Sequence, residues 1–547
     1  MQSYTRNRMS MILISLSAIL LSGCSTWDTP ESSIDSRPVI FPDYAEVTIP
    51  KNIAPLNFMV EGADRIQASF SHEGVELIRV KGKEGIIQIP LKKWHGLLDL
   101  AKEGNIDVQV SVWSKEYPQG MAFQPFPIHV EDTGIDEWIA YRLIEPGYKS
   151  WRQIGLYQRN LSSFEESAIV TNATANETCL NCHHFPSYSS ESMMFHARGA
   201  NGGTILYHNG ELTKIEFNKI GPKKNTTYPA WHPEGRFIAF SSNTTRQTFY
   251  LHGHKPIEVY DYASDILLYD TQTSEVITDP RFMTEETLES FPAWSPDGKE
   301  LYYVAADAHK LPDELEKMHY HLLKVQFDPQ TRTFGERIDT LYNAAVSGGS
   351  ASHPRVSADG RYLLYTWAEY GTFPIWHEEA DLRMIDLETM QHVDISVWND
   401  EDQADSYHSW SSDGRWVMFG SRRADGRYTH IYIAYLDEEG NPDKPFLLPQ
   451  KDPRYNEWRL KSYNIPEFIK DKVAFYFQAK ESSDLDNRTA FSAAVNEYSH
   501  EKQSHQAGSA SGHCIIASFL RHVGDMVLLL PLFPHLAGRI FVLLHSS

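Results

Sequence analysis

One eight-residue pattern recurs four times and dictates what this chain can fold into. Tyr228-Pro-Ala-Trp-His-Pro-Glu-Gly235, Phe291-Pro-Ala-Trp-Ser-Pro-Asp-Gly298, His353-Pro-Arg-Val-Ser-Ala-Asp-Gly360 and Tyr407-His-Ser-Trp-Ser-Ser-Asp-Gly414 align position by position. Each closes on a turn whose glycine is free to take positive φ. Three and five residues past each glycine stand Ile238 and Phe240, Leu301 and Tyr303, Leu363 and Tyr365, Val417 and Phe419, which is the period of a strand. A second strand pair follows, as in Asp265-Ile-Leu-Leu-Tyr-Asp-Thr-Gln-Thr and Asp381-Leu-Arg-Met-Ile-Asp-Leu-Glu-Thr. Four strands per unit at a regular period specify a β-propeller. The glycines lie further apart than the roughly 40–45 residues of a bare blade, so insertions belong between strands, at Gln247 to Tyr262 and Ala308 to Tyr320. Gly202-Gly-Thr-Ile-Leu-Tyr-His and Tyr463-Asn-Ile-Pro-Glu-Phe-Ile open further units. Five to seven blades over residues 201–480 are expected.

These turns resemble those of WD40-like, TolB-type propellers, whose blades carry P-x-W-S-P-D-G. The resemblance covers about half the chain. It departs at Val356, where tryptophan is usual, and at His408, where proline is usual. It implies a binding platform with a broad face and a central channel. Asp297, Asp359 and Asp413 repeat at one turn position and read as turn formers rather than catalysts.

Before the repeats, residues 38–145 read as a small β-sandwich-like domain. Ile106-Asp-Val-Gln-Val-Ser-Val-Trp113 alternates apolar with polar, the mark of a half-buried strand. Pro90 opens a short helix whose apolar face is Leu91, Trp94, Leu98 and Ala101, and Gly104-Asn105 stops it. At the start, Arg6 and Arg8 precede an apolar run from Met9 to Leu21 that ends at Leu21-Ser22-Gly23-Cys24. That run resembles a bacterial lipoprotein signal over residues 1–23, which implies cleavage before Cys24 and lipid on its sulfur. Residues 24–37 then form an acidic tether. Ser25 implies sorting to the outer membrane. Residues 481–547 break the pattern abruptly and read as a frame-shifted, non-native tail; the alternative is a transmembrane helix in Ile515 to Leu544, which Arg521, Asp525, Pro531, Pro534, His535 and Arg539 interrupt.

Between these parts, residues 146–200 carry Cys179-Leu-Asn-Cys182-His183. Two thiols three apart, then an imidazole, is the spacing of covalent c-type haem attachment, with His183 the proximal iron ligand. The chain has 4 Cys and 24 His in 547 residues, and an exported chain so poor in thiols is no disulfide scaffold. Met193, Met194 and His196 are the candidates for the distal ligand, and Arg198 for a propionate partner. Two rivals stand: a redox-active CxxC pair, and zinc completed by His184 or His196. His232, His252, His254, His353 and His408 read as loop histidines, although His252-Gly-His254 has the donors for a metal.

The formal net charge of −22, with no basic stripe, excludes a nucleic-acid partner. No G-x-S-x-G, H-E-x-x-H or P-loop is present. The whole chain resembles bacterial envelope lipoproteins that join one c-haem segment to a TolB-like propeller. The resemblance implies one covalent haem c, electron transfer or redox sensing, a redox partner or envelope complex docked on the propeller, and a lipid anchor in the membrane. The alternative is a TolB-like binding or assembly scaffold in which the haem is structural, or in which a zinc or dithiol site replaces it.

Overall fold

The computed structural model describes residues 27–145, 153–175, 177–198, 202–217, 226–250, 255–475 and 477. The signal segment, Cys24, His252, His254 and residues 481–547 lie outside the described residues.

Six four-stranded antiparallel sheets follow one another around an axis. Three of the four repeat turns build their blades in the same way, whereas in blade 3 the Glu234 amide donates to His232 Nδ1 at 3.2 Å. In blade 4, the Ser295 hydroxyl donates to Asp297 at 2.7 Å, and Asp297 accepts from the Lys299 amide at 3.1 Å. The Ser295 oxygen also receives the Glu300 amide at 3.0 Å. Blade 5 repeats this with Ser357, Asp359 and Arg361, and blade 6 with Ser411, Asp413 and Arg415. Gly298 takes φ +70°, and a Cβ there would lie 2.2 Å from His232 Nε2, so close approach to the neighbouring blade also requires glycine. In blades 4 and 6 the repeated tryptophan is a staple between blades, whereas Trp231 of blade 3 bonds the Gly235 carbonyl of its own turn at 2.9 Å. Trp294 of blade 4 donates its indole N–H to the Ala230 carbonyl of blade 3 at 3.0 Å, and Trp410 of blade 6 donates to Arg355 of blade 5 at 3.2 Å.

The propeller begins earlier than the repeats suggest. Residues 146–200, expected as a connector, are built into blades. Trp138–Ile144, Gly155–Asn160 and Glu166–Thr171 form blade 1, and Cys179–His184 is the first strand of blade 2. The innermost strand of blade 1 comes from the far end of the chain. Ser462–Ile469 pairs antiparallel with Trp138–Ile144 and closes the ring. Reciprocal bonds hold this seam: the Gln158 amide donates to the Val473 carbonyl at 2.9 Å and accepts the Val473 N–H at 2.7 Å. Arg459 grips Glu166 with two bonds of 2.7 and 3.0 Å.

Blade 3 departs from the others. Its middle strands, Phe237–Phe249 and Ile257–Asp270, run 13 and 14 residues, where the second strands of the other blades run six to eight. The excess forms a strap, on the insertion expected at Gln247 to Tyr262. It packs on the innermost strand of blade 4 (Thr287–Trp294) and reaches blade 5. There Glu258 Oε2 lies 3.1 Å from His377 Nε2, and Lys255 Nζ lies 2.8 Å from Glu379.

The N-terminal part is one seven-stranded mixed sheet with a two-stranded ribbon, not the expected sandwich. Parallel pairs at Ser32–Ser33 with Met121–Ala122, and Thr48–Pro50 with Phe126–Glu131, make it mixed. The helix Leu91–Leu100 packs Trp94, Leu97 and Leu98 into the core, while Leu91 stays exposed. One hydrophobic core runs from this sheet into blades 1 and 6, joining Phe58, Trp94 and Ile128 to Tyr141, Trp416 and Ile433. Among the described residues no helix is long and apolar enough to cross a membrane.

Candidate functional site

The six innermost strands converge on one cavity at the propeller axis, and each contributes a residue of the same unusual backbone. Cys182, Tyr228, Phe291, His353, Tyr407 and Ile465 have φ between 39° and 52° and all line the cavity. Each sits where the register with the next strand slips by a bulge. Left-handed backbone at a non-glycine residue costs on the order of 1–3 kcal/mol. Six repeats of it re-aim one side chain per blade at the axis. The four that carry rings pack edge-on and tilted into a collar, with centroids 4.0 Å apart for Tyr228 and Phe291, 4.0 Å for Phe291 and His353, and 4.8 Å for His353 and Tyr407.

This register explains the CxxCH motif. Cys182-His183-His184-Phe185 occupies in blade 2 the place of Tyr228-Pro-Ala-Trp in blade 3 and Ile465-Pro-Glu-Phe in blade 1. The motif is therefore a divergent copy of the repeat. The signal was present in the sequence, but without tryptophan and Asp-Gly it escapes a search built on the turn. Cys182 and His183 face the cavity. Cys179 packs instead in the apolar core shared by blades 1 and 2. Both cysteines are buried, and no disulfide is present among the described residues.

Burial pushes the His183 imidazole down to about 3, helped by the Arg142 charge and opposed by a hydrogen bond with the Ala140 carbonyl. It is a neutral ring with Nε2 unpartnered, the form that ligates metals. Blade 5 lies opposite blade 2 in a six-blade ring, and its His353 also carries an unpartnered Nε2, with Nδ1 3.0 Å from Ser352 Oγ. Burial, with His408 and Arg355 nearby, holds His353 well below the usual imidazole range. His408 is neutral for the same reason, pushed to about 3, and its Nε2 bonds the Leu364 carbonyl at 3.0 Å. His353 and His408, read from sequence as loop histidines, are thus channel residues.

The expected distal ligands are elsewhere. Met193–Arg198 is the second strand of blade 2, so its side chains alternate between neighbouring blades. Met193 is buried toward blade 1, and Met194 toward blade 3 beside Trp231 and Phe240. His196 also faces blade 3, its Nδ1 2.9 Å from Thr204 Oγ1 and its ring against Phe240. Arg198 ends the strand near Tyr228, with Nε unpartnered. Nor do the zinc donors converge: among the described residues no three His, Cys, Asp or Glu side chains group as a metal site. His184 turns away from the cavity toward Glu467, 3.9 Å distant. Burial pushes Glu467 up to about 8, with Arg355 opposing. His232, a turn residue, bonds the Gly298 carbonyl at 3.0 Å.

His183 and His353 are cavity imidazoles with an unpartnered Nε2, the donors a haem iron would take. The cavity measures about 460 Å³ with its open mouth counted and has room for about two or three waters. The aromatic collar leaves no space for a macrocycle inside the channel.

No family model matches the chain, and no curated protein matches it. Among solved structures it is similar to a puromycin hydrolase (11% identity, TM-score 0.33, covering 57% of this chain and 47% of that one). It is also similar to prolyl oligopeptidase B from Galerina marginata (11%, 0.34, 56% and 42%) and to a puromycin-hydrolyzing peptidase from Mycobacterium tuberculosis (11%, 0.32, 74% and 57%). The chain spans less than two thirds of the length of each. The blade count and the ring closure stand on this chain's own strand pairing.

Proposed function

We propose that this chain is a redox protein of the bacterial cell envelope that holds one haem c at the mouth of its propeller channel. Cys182 would tether the group, His183 would be its proximal ligand, and His353 replaces Met193, Met194 and His196 as the candidate second ligand; Cys179, packed in the core between blades 1 and 2, does not line the cavity. The observation that carries the reading is the His183 imidazole: neutral, buried, unpartnered at Nε2, and next to a thiol on the same cavity wall. A bound haem supplies reversible one-electron chemistry. The chain's own residues exclude water, hold His183 through the Ala140 carbonyl, and surround the site with Arg142, Arg198 and Arg355. The broad propeller face is the docking surface for a redox partner. Lipidation at Cys24 would hold the protein at the envelope, on the outer membrane.

A second reading is a TolB-like binding or assembly scaffold. It is favoured by the register itself, because Cys182-His183 fills the wall position that Tyr228-Pro229 and Phe291-Pro292 fill in other blades. Expression in a host with a cytochrome c maturation system separates the two. The redox reading expects a covalent haem mass and a Soret band, with His183→Ala losing the low-spin spectrum. A colourless protein with both thiols open to alkylation after unfolding refutes it.

A further inference from the structure

The cavity wall carries one formal charge, and it is positive. Arg355 of blade 5 lines the cavity, and no Asp or Glu does. Its guanidinium donates no hydrogen bond and makes no ion pair within 4 Å among the described residues; its main-chain carbonyl accepts from Trp410, and its strand pairs it with Leu364. Glu467 is near enough to be felt, but its closest ion-pair partner is His184, not Arg355. Arg355 is half-buried, so its charge is neither paired by the protein nor fully dispersed in bulk water. Other arginines reinforce the field: Tyr407 feels Arg142 and Arg422, and Tyr228 feels Arg198. Buried acids do stand on or beside the innermost strands, Glu467, Asp261, Glu289 and Asp405 among them, but none lines the cavity. In a protein of net charge −22, the cavity wall thus presents a cation with no carboxylate on the same wall among the described residues.

We propose that the channel is a binding site for a small monovalent oxyanion, a carboxylate or a group of that size, held by Arg355. Size follows from the room. Space for about two or three waters admits a planar anion of about three or four heavy atoms, such as formate, acetate or nitrite, and not a sugar acid or a nucleotide. Arginine suits the task because its fork bonds both oxygens of a carboxylate at once. The same chemistry has two sources, a free small anion or a propionate of a haem at the mouth. The inference does not rest on the haem reading, because the apo protein tests it.

The full chain, made without cytochrome c maturation, is titrated with sodium formate by calorimetry and thermal melting. Sodium gluconate, too large for the channel, holds ionic strength constant. Wild type binds formate and melts higher with it. Arg355→Met binds at least tenfold more weakly, whereas Arg355→Lys keeps measurable binding. In gluconate alone Arg355→Met melts no lower than wild type, since it removes a charge without a counter-ion, and this shows the variant is folded. Equal formate responses in wild type and Arg355→Met, or none in wild type, overturn the proposal. Matured protein then separates the sources. If it no longer binds formate, the propionate fills the site; if it binds formate unchanged, the ligand is a free anion.

Discussion

Replacing Gln158 with leucine should unlatch the ring. The Gln158 side chain is 2% exposed and bonds both backbone groups of Val473, at 2.9 and 2.7 Å. Leucine keeps the approximate volume and removes both bonds. Val473 is itself buried, so its N–H and C=O lose their partners away from water. Each orphaned group costs about 1–3 kcal/mol, or about 2–6 for the pair. Burying leucine instead of an amide returns about 1–2 kcal/mol, which leaves about 1–4. Global unfolding of a chain this size is not two-state, so the fitting assay is local. Hydrogen exchange of Ser462–Ile469, the strand this latch secures, should quicken roughly 5- to 700-fold at about 1.4 kcal/mol per decade. Exchange in blade 4, on the other side of the ring, should hardly change. If the closing strand exchanges at the wild-type rate, or if blade 4 quickens equally, the seam is not the weak point and the reasoning fails.

Three further outcomes follow from the same geometry. Met194→Leu should leave the spectrum of matured protein unchanged, because Met194 packs between blades 2 and 3, while His353→Ala should alter it; visible spectroscopy decides. Trp294→Phe should weaken the contact of blades 3 and 4 by about 1–3 kcal/mol by orphaning the Ala230 carbonyl, read as faster hydrogen exchange in Thr227–Trp231 and Thr287–Trp294. The strap should loosen as pH rises. Burial pulls His377 down, but hydrogen bonds to Glu258 and Glu379 outweigh it and raise its pKa. The latch is therefore complete below the usual imidazole value near 6.5 and is lost as pH climbs through the raised one. Lys255, Tyr370 and Glu369 face the same cluster. Proteolysis within residues 243–264 should increase at alkaline pH in wild type and be pH-independent in His377→Gln.

The repeat turns were legible because their chemistry is local: Ser, Asp and Gly fix the bend, and tryptophan reaches the previous blade. That made the propeller and the insertion at Gln247 to Tyr262 readable. Blades 1 and 2 were read only in part, because they lack those residues: Gly202-Gly-Thr-Ile-Leu-Tyr-His and Tyr463-Asn-Ile-Pro-Glu-Phe-Ile, expected to open units, are the third strand of blade 2 and the innermost strand of blade 1. Blade 1 is also assembled from segments some 320 positions apart, and periodicity along the chain carries no trace of such a pairing. The site was half legible. Cysteine spacing singled out Cys182 and His183, but spacing counts along the sequence, and a strand sends neighbours to opposite faces. For that reason Met193, Met194 and His196 turned toward neighbouring blades, while His353 and Arg355, from a strand that passed as a turn, came to the axis. The N-terminal sheet kept its expected strand and helix, yet its parallel pairings arise only through contacts distant in sequence.

Ring closure also sets an order of events. Cys179 and Cys182 are 9% and 4% exposed in the finished propeller, and the innermost strand that completes the circle, Ser462–Ile469, is the last of the blade strands to be synthesised. Before it docks, blade 1 lacks its innermost strand and the ring is unclosed. An enzyme acting on those thiols would have a window that closes with the final strand, and folding would compete with it in time. Variants that delay docking, Gln158→Leu among them, would lengthen that window as they weaken the ring.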